Sequence, residues 1–252
     1  MRLTKSQEIK WTFASDLHGD NQDFEASHAF LHFVDVFKPD VRIFGGDLFD
    51  FRAIRRGASK EEKADSMALD IELGLKFLDR YKPDVFLRGN HDERLWQLAQ
   101  NGEGLLRDHA QEGVRSIETK CKIKGIKMLP YNASEGIYDL GNLRFIHGYH
   151  AGIYATKKHA EIYAPSGGAV LHGHTHQIQS TNIPRSNGAR GYAVGCLART
   201  AMEYNYHQTS RLTHQNGWAY GIAWKGGSEV MQARRSGRKW LYATDIKAHE
   251  VV

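Results

Sequence analysis

The sequence predicts a four-layer α/β/β/α sandwich, in which two mixed β-sheets pack face to face with helices outside. Two observations predict it. The first half of the chain repeats a unit of strand, polar loop and helix, which is typical of parallel strands joined by crossover helices. The second half shows short strand patterns separated mostly by brief turns. The 252 residues suit one large domain, and no linker or internal repeat divides 1–252.

Strand and helix patterns alternate through the first half. Large apolar residues alternate with polar or small ones over 9–14, the period of a strand with one buried face. Apolar residues at helical spacing follow over 24–37, and Pro39 comes where such a helix would stop. The order then recurs, so strands are expected at 9–14, 41–44 and 85–87, and helices at 24–37 and 61–81.

The second half favours strands with few helices between them. Strands are expected at 127–129, 143–147, 169–172, 192–194 and 218–224, with one helix at 155–163. The aromatic segments 204–207 and 218–224 could stack on nucleic-acid bases. Packing in a core or at a sheet edge is the favoured interpretation.

Composition and charge narrow the classes of protein. A hydrophobic content of 41% with 25% charged residues argues against disorder and fibrous folds. No apolar run approaches the roughly 18 residues of a membrane span, and the first residues lack an apolar leader, so a cytoplasmic location is expected. Cys121 and Cys196 are isolated, which argues against disulfide frameworks and thiolate zinc sites. The net charge of +5 would help to attract a polyanion such as nucleic acid.

Five short motifs place potential metal ligands directly after predicted strands. In chain order they are Asp16-Leu17-His18, Gly46-Asp47-Leu48-Phe49-Asp50, Gly89-Asn90-His91-Asp92, His147-Gly148 and Gly173-His174-Thr175-His176. The carboxyl ends of strands form the edge at which α/β proteins bind ligands. Each motif alone could be a tight turn or a helix cap. The ordered set of five favours a common site.

The ligand types in these motifs suit a pair of divalent metals. Hydrolysis of a phosphate ester needs a nucleophile near neutral pH and positive charge around the phosphoryl oxygens, and two metals roughly 3.5 to 4 Å apart supply both. Carboxylate, imidazole and amide groups are present, whereas thiolates are absent. This set of ligand types argues against copper(I) and iron–sulfur clusters and leaves manganese, iron, zinc and nickel as candidate metals.

The motifs resemble the signature of the calcineurin-like metallophosphoesterase superfamily, which is Asp-x-His, Gly-Asp-x-x-Asp, Gly-Asn-His-Asp/Glu, His and Gly-His-x-His. The match runs over 16–176 and fills every ligand position. The resemblance implies hydrolysis by a hydroxide that bridges two divalent metals, for which manganese is favoured. The first metal would be held by Asp16, His18, Asp47 and His176. The second would be held by Asp47, Asn90, His147 and His174.

The resemblance implies a different role for His91 and Asp50. His91 would face the leaving group as general acid, and Asp50 would orient it. An imidazole held by a carboxylate stays protonated to higher pH, which suits a proton donor near neutrality. His150 and His172 flank the motifs without matching a ligand position, so packing or support of the ligands is expected for them.

The substrate stays open at this stage. Differences at Asp50, Phe51 and Asp92 separate the chain from DNA-repair nucleases and Ser/Thr protein phosphatases, so it resembles small bacterial or phage-type members without a capping domain. A phosphodiesterase or nuclease acting on nucleic acid or nucleotides is favoured by the positive charge and by the group Arg52, Arg55, Arg56 and Lys60. A phosphomonoesterase acting on a small metabolite or phosphoprotein is the alternative. A non-catalytic binding scaffold of the same fold is a minor one.

Overall fold

The computed structural model describes residues 8–184, 187–201 and 213–247, and within them twelve strands form two sheets. The seven-stranded sheet has the order β12-β11-β10-β1-β2-β3-β4. Its strands are β1 (Ile9–Ala14), β2 (Val41–Phe44), β3 (Val85–Leu87), β4 (Lys127–Leu129), β10 (Gly217–Trp224), β11 (Gly227–Ser236) and β12 (Lys239–Leu241). The strands β1 to β4 are parallel, whereas β10 runs antiparallel to β1. The sheet is therefore mixed.

The five-stranded sheet has the order β5-β6-β7-β9-β8 and is also mixed. Its strands are β5 (Tyr138–Leu140), β6 (Leu143–Ile146), β7 (Ala169–His172), β8 (Ile178–Ile183) and β9 (Ala189–Val194). The strands β6, β7 and β9 are parallel, and the two edge strands are antiparallel to their neighbours. The α-helices of the described residues are α1 (Phe24–Phe37), α2 (Lys60–Lys63), α3 (Met67–Tyr81), α4 (Asn90–Asn101), α5 (Gly104–Lys124) and α6 (Ala155–Tyr163).

Apolar side chains fill the space between the two sheets and beneath the helices. Phe145 of β6 packs against Trp11 and Phe13 of β1, with ring centroids 5.3 Å apart in both pairs. On the outer face of the larger sheet, Phe30 and Phe33 of α1 contact Trp218 of β10. The helix α6 packs on the outer face of the smaller sheet. This arrangement confirms the predicted four layers and the face-to-face packing of two mixed sheets.

Helix α1 shows how local sequence sets the limits of an element. The Asp23 side chain caps its start by accepting a hydrogen bond from the backbone N–H of Ala26 at 3.0 Å. Phenylalanines at helical spacing bury one face. The helix ends at Lys38, whose backbone is left-handed, one residue before Pro39.

The structure differs from the sequence prediction in several elements. The helix predicted over 61–81 is divided into α2 and α3, because the Ser66 side chain caps a new helix by accepting from the N–H of Leu69. The elements α4, α5, β5, β8, β11 and β12 were not predicted. The segment 204–207 lies outside the described residues, whereas Trp218 is fully buried in β10, which confirms packing for that segment. None of the described helices combines the length and the apolar character needed to cross a membrane.

Candidate metal centre

The five motifs directly follow β1, β2, β3, β6 and β7, four of them in loops and the third in the first turn of α4. Backbone hydrogen bonds join the first motif with the second and the fourth with the fifth. The N–H of Asp16 donates to Gly46 O at 2.9 Å, so the loops after β1 and β2 continue side by side. In the smaller sheet, Gly173 N donates to His147 O at 2.8 Å. The loops of both sheets therefore converge at one edge of the sandwich, as expected for the carboxyl ends of parallel strands.

The backbone of these loops is unusual. Among the described residues, nine residues other than glycine have a positive φ, and five of them are predicted ligands: Asp16, His18, Asp47, His174 and His176. Side chains disfavour this left-handed conformation, and its concentration in one place is typical of functional sites. The turns therefore aim the ligand side chains at some conformational cost.

The first cluster contains Asp16, His18 and His176. The Nε2 atoms of His18 and His176 lie 3.1 Å apart, and His176 Nε2 lies 3.3 Å from Asp16 Oδ1. All three side chains are buried. Asp16 is itself held by the backbone N–H of His174, which donates to its Oδ2 at 2.9 Å. A ligand loop of one sheet thereby orients a predicted ligand of the other.

The second cluster contains Asp47, Asn90, His147 and His174. His147 Nε2 lies 3.0 Å from Asn90 Oδ1 and 3.4 Å from Asp47 Oδ2. His174 Nδ1 lies 2.8 Å from the same Asn90 oxygen. The side chains of Asp47, His147 and His174 meet closely enough to hold one ion.

Asp47 lies between the two clusters. Its Oδ2 is 3.4 Å from His147 Nε2 in the second cluster and 3.9 Å from His18 Nε2 in the first. Its other oxygen, Oδ1, accepts a hydrogen bond from the backbone N–H of His91 at 2.8 Å. One carboxylate oxygen therefore faces ligand-type atoms on both sides.

The donor set fits metal ions, as the surroundings of His147 show. Its Nδ1 donates to the backbone carbonyl of Gly45 at 2.8 Å. In a neutral ring the proton is then on Nδ1, and Nε2 carries a lone pair. That lone pair faces the oxygens of Asn90 and Asp47, which are also acceptors. Atoms of this kind converge without repulsion only around a cation or a proton. Burial opposes a charged ring, but the Asp47 carboxylate raises the pKa of His147 to about 9, so the site favours positive charge.

Electrostatics also keep the carboxylates ionised despite their burial. Burial alone would raise the pKa of Asp16, but the His176 imidazole beside it lowers that pKa to about 2. Burial likewise opposes ionisation of Asp47, yet the imidazoles of His147 and His91 hold its pKa well below the ordinary value. Burial beside His147 lowers the pKa of His174 to about 4 and keeps that ring neutral. Ionised carboxylates and neutral imidazoles are the forms that bind metals.

His91 lies beside the clusters and pairs with Asp50. Its Nδ1 is 2.7 Å from Asp50 Oδ1, and its Nε2 is 4.0 Å from Asp47 Oδ2. The ring therefore has one nitrogen on a buried carboxylate and the other directed towards the centre of the site. The structure thus brings together the two side chains that the sequence paired, and their roles stay a prediction.

Three side chains around Asp50 were not predicted. Asn21 Nδ2 donates to Asp50 Oδ2 at 2.7 Å, and Arg52 Nη1 donates to the same oxygen at 3.3 Å. Arg94 Nη1 donates to the backbone carbonyl of Asp50 at 2.8 Å. The position of Arg94 three residues after His91 on one helix face was an available signal. Arg52 follows Asp50 by two residues in the same loop, whereas Asn21 comes from the segment after β1, which sequence spacing does not relate to Asp50.

The flanking histidines support the loops. The Nδ1 of buried His172 donates to the backbone carbonyl of Gly173 at 2.8 Å, and its Nε2 lies 3.2 Å from Thr156 Oγ1. The ring of His150 packs against His159 of α6. Both contacts agree with the packing and support expected from the sequence.

The arginines after the second motif are largely engaged with carboxylates. Arg52 forms a bidentate ion pair with Asp20 at 2.6 Å and also binds Asp65, while Arg55 binds Glu62 at 2.7 Å. These pairs leave little of either charge free for a polyanion. They border a cavity of about 810 Å³ whose lining includes the Asp50 neighbours Asn21 and Arg52.

Comparisons with known proteins extend these observations. A sequence model of the family described as calcineurin-like phosphoesterase matches residues 9–178. No curated protein matches the chain. Similar solved structures include Vps29 of Entamoeba histolytica complexed with Zn²⁺, with 9% identity, a TM-score of 0.48 and coverage of 92% of this chain and 96% of that one. The phosphoesterase Yfce of E. coli has 12% identity, a TM-score of 0.43 and coverage of 89% and 98%. A metallophosphoesterase of Sphaerobacter thermophilus has 13% identity, a TM-score of 0.44 and coverage of 92% and 90%.

Proposed function

Since the chain belongs to the calcineurin-like phosphoesterase family, we propose that it hydrolyses phosphoester bonds with two divalent metal ions. The observation that carries this proposal is the position of Asp47 Oδ2 between two clusters of ligand-type side chains. A carboxylate shared in this way suits a bridge between paired cations.

The ligands divide into two overlapping sets. One cation would be held by Asp16, His18, Asp47 and His176. The other would be held by Asp47, Asn90, His147 and His174. When bound, two such ions lower the pKa of coordinated water and neutralise the phosphoryl oxygens. Manganese is the proposed metal, and iron, zinc and nickel suit the same ligands.

His91 is the proposed proton donor. Asp50 receives its Nδ1–H at 2.7 Å, which fixes the ring plane. The Nε2–H is then directed towards the centre of the site, on the same side as Asp47 Oδ2. In hydrolysis this proton passes to the oxygen of the departing alcohol, which would otherwise leave as an unstable alkoxide.

We propose a phosphodiester of nucleic acid or a nucleotide as the substrate class. The net charge of +5 favours an anionic substrate. The ion pairs of Arg52 and Arg55 favour the alternative, a phosphomonoester of a small metabolite or phosphoprotein, because they leave few free cations for a long polyanion. The complete ligand set argues against a non-catalytic scaffold.

A substrate panel tests the proposal. Metal-stripped protein would be reconstituted in turn with manganese, iron, zinc and nickel and assayed on aryl phosphate, bis-aryl phosphate, and single- and double-stranded DNA and RNA. Asp47→Asn, made in parallel, is the control for contaminating phosphatases. We expect cleavage of diesters that depends on metal and on Asp47.

The possible outcomes separate the candidates. Activity restricted to the aryl phosphate rejects the diester substrate but keeps the hydrolase. A protein that binds two metals per chain and cleaves none of the substrates supports the scaffold instead.

A further inference from the structure

The carboxylate of Asp50 receives more than the His91 ring. Its Oδ1 lies 2.7 Å from His91 Nδ1 and 3.4 Å from His18 Nδ1. Its Oδ2 accepts from Asn21 Nδ2 at 2.7 Å and from Arg52 Nη1 at 3.3 Å. The Asp50 side chain is completely buried. Arg94 Nη1 also lies 3.8 Å from Oδ1, so five nitrogen atoms surround the two oxygens, and an ionised carboxylate offers them roughly four acceptor sites.

This surrounding set restricts where the imidazole protons lie. An ionised carboxylate only accepts hydrogen bonds, so a nitrogen that faces it favourably carries a proton. The buried Nδ1 of His18 makes no hydrogen bond of regular geometry, and the acceptor close to it is Asp50 Oδ1, an ion-pair contact at 3.4 Å. The proton of a neutral His18 ring is therefore favoured on Nδ1.

The opposite nitrogen of His18 then carries the lone pair. His18 Nε2 lies 3.1 Å from His176 Nε2 and 3.9 Å from Asp47 Oδ2, inside the first ligand cluster. A metal needs this nitrogen unprotonated. A carboxylate behind a metal-binding histidine commonly sets the tautomer and orientation of the ring.

We propose that Asp50 is a positioning residue for His18 as well as for His91, so that one carboxylate oxygen sets the tautomers of a metal ligand and of the proton donor. This inference rests on the proposed function for the role of His18 towards a metal. It adds that the metal centre and the proton donor share one support.

Asparagine should not replace Asp50 in this role. An amide has one oxygen and one NH₂ group, and Arg52 can only donate, so the amide oxygen should turn towards Arg52. The NH₂ group would then face His18 and His91. Both Nδ1 atoms would have to accept, which moves the proton of His18 to Nε2.

Nitrogen-15 NMR of the histidine rings in metal-free protein tests the tautomer directly. In the wild type we expect His18 to carry its proton on Nδ1, and in Asp50→Asn on Nε2. The matched control is Asp65→Asn, which changes another aspartate that binds Arg52 but does not contact His18. We expect this control to keep the wild-type tautomer. A wild-type His18 protonated on Nε2 overturns the proposal without any variant having to fold.

Metal binding supplies a second readout that is independent of catalysis. By calorimetry with Mn²⁺, we expect Asp50→Asn to bind one of the two metals about 10- to 100-fold more weakly, because support of this kind has an effect of that size. His91→Ala and Asp65→Asn should keep the wild-type affinity at both sites. Equal affinity in Asp50→Asn and wild type overturns the proposal. Loss of a third metal in Asp50→Asn also overturns it, because His18, Asp50 and His91 themselves lie close enough together to hold an ion. Neither measurement uses a substrate. The two results therefore test the role of Asp50 whether or not the protein hydrolyses phosphoesters.

Discussion

Buried charge at single residues determines what the site can hold. Asp16, Asp47 and Asp50 are ionised side chains with almost no exposure to solvent. Burying a charge is costly unless an opposite charge compensates it. Imidazoles lie beside each of these carboxylates. Protons on these rings can compensate the negative charge in the metal-free protein, and bound metals can compensate it in the metal-loaded protein. Uptake of metal should therefore release protons.

His91→Ala should separate proton donation from metal binding. We expect the variant to keep two metals per chain and to lose about 10²- to 10⁴-fold in turnover, the usual contribution of a general acid. Metal content by mass spectrometry and turnover on a diester with a poor leaving group measure the two effects. On an activated aryl ester the loss should be smaller, because that leaving group needs little protonation. A metal-free variant would contradict the assignment.

Asp70 should make stability depend on pH. Its buried carboxylate accepts hydrogen bonds from the backbone N–H groups of Asp50 and Phe51, but burial raises its pKa to about 7 from 3.8. The folded state therefore holds a proton that the unfolded chain releases. This contribution to stability is complete below about pH 4 and is lost as pH rises to about 7.

Asp70→Asn removes this titration and keeps an oxygen for the same N–H groups. The free energy of unfolding of the variant minus that of the wild type should increase by roughly 2 to 3 kcal/mol from pH 5 to pH 7.5. Urea unfolding of both proteins at the two pH values measures the difference. A constant difference across this range would contradict the raised pKa.

The sequence predicted the metal-type side chains but not the groups that hold them. Asp16 and His176 stand in recognisable motifs, so they could be identified from residue type and order. Asp70 reaches Asp50 from helix α3 and Asn21 reaches it from the segment after β1, and their role depends on three-dimensional contacts that no spacing reveals. The supporting groups could therefore be identified only from the structure.

At the scale of elements, α6 supports two ligand loops from behind. The Nε2 of His159 accepts from the backbone N–H groups of Tyr149 and His150, which follow His147 along the chain. Burial lowers the pKa of His159 to about 2, so the ring stays neutral and can accept both bonds. Thr156, one turn earlier, reaches His172 before the last motif. The helix thereby fixes the loops after β6 and β7 together.

His159→Leu should weaken this support. Two partly buried backbone N–H groups would lose their acceptor, at a cost of about 1 kcal/mol each in the free energy of unfolding. His159→Gln is the matched control, because a glutamine oxygen can take the place of Nε2. Urea unfolding and metal content should show the leucine variant less stable and poorer in metal than the glutamine variant. Equal behaviour of the two variants would show that the hydrogen bonds contribute little.

Elements with strong apolar periodicity were predictable, and those around the site were less so. The limits of α1 were predicted correctly, because a cap, an apolar face and a proline agree there. Helix α4 was missed because its first residues are the ligand motif Gly89-Asn90-His91-Asp92, where the Asp92 carboxylate caps the start by accepting from the N–H of Gly89 at 2.8 Å. A residue pattern selected for chemistry hid the pattern of a helix.

At the scale of the whole molecule, the predicted ligands belong to two different sheets. Asp16, His18, Asp47 and Asn90 follow strands of the larger sheet. His147, His174 and His176 follow strands of the smaller one. Each proposed metal draws ligands from both. Bound metal would therefore connect the two halves of the sandwich, beyond the apolar contacts between them.

Metal binding should accordingly stabilise the whole fold. With a metal concentration about 100 times the dissociation constant, one site adds about 2.7 kcal/mol, which for a chain of this size raises the unfolding temperature by roughly 5 to 10 °C. Calorimetric melting of stripped and manganese-loaded protein measures the shift. His91→Ala should keep it, because His91 is not a proposed ligand. Asp47→Asn should lose most of it, because the bridge between the clusters loses its charge. A shift of equal size in Asp47→Asn would mean that the metal stabilises the protein from another site.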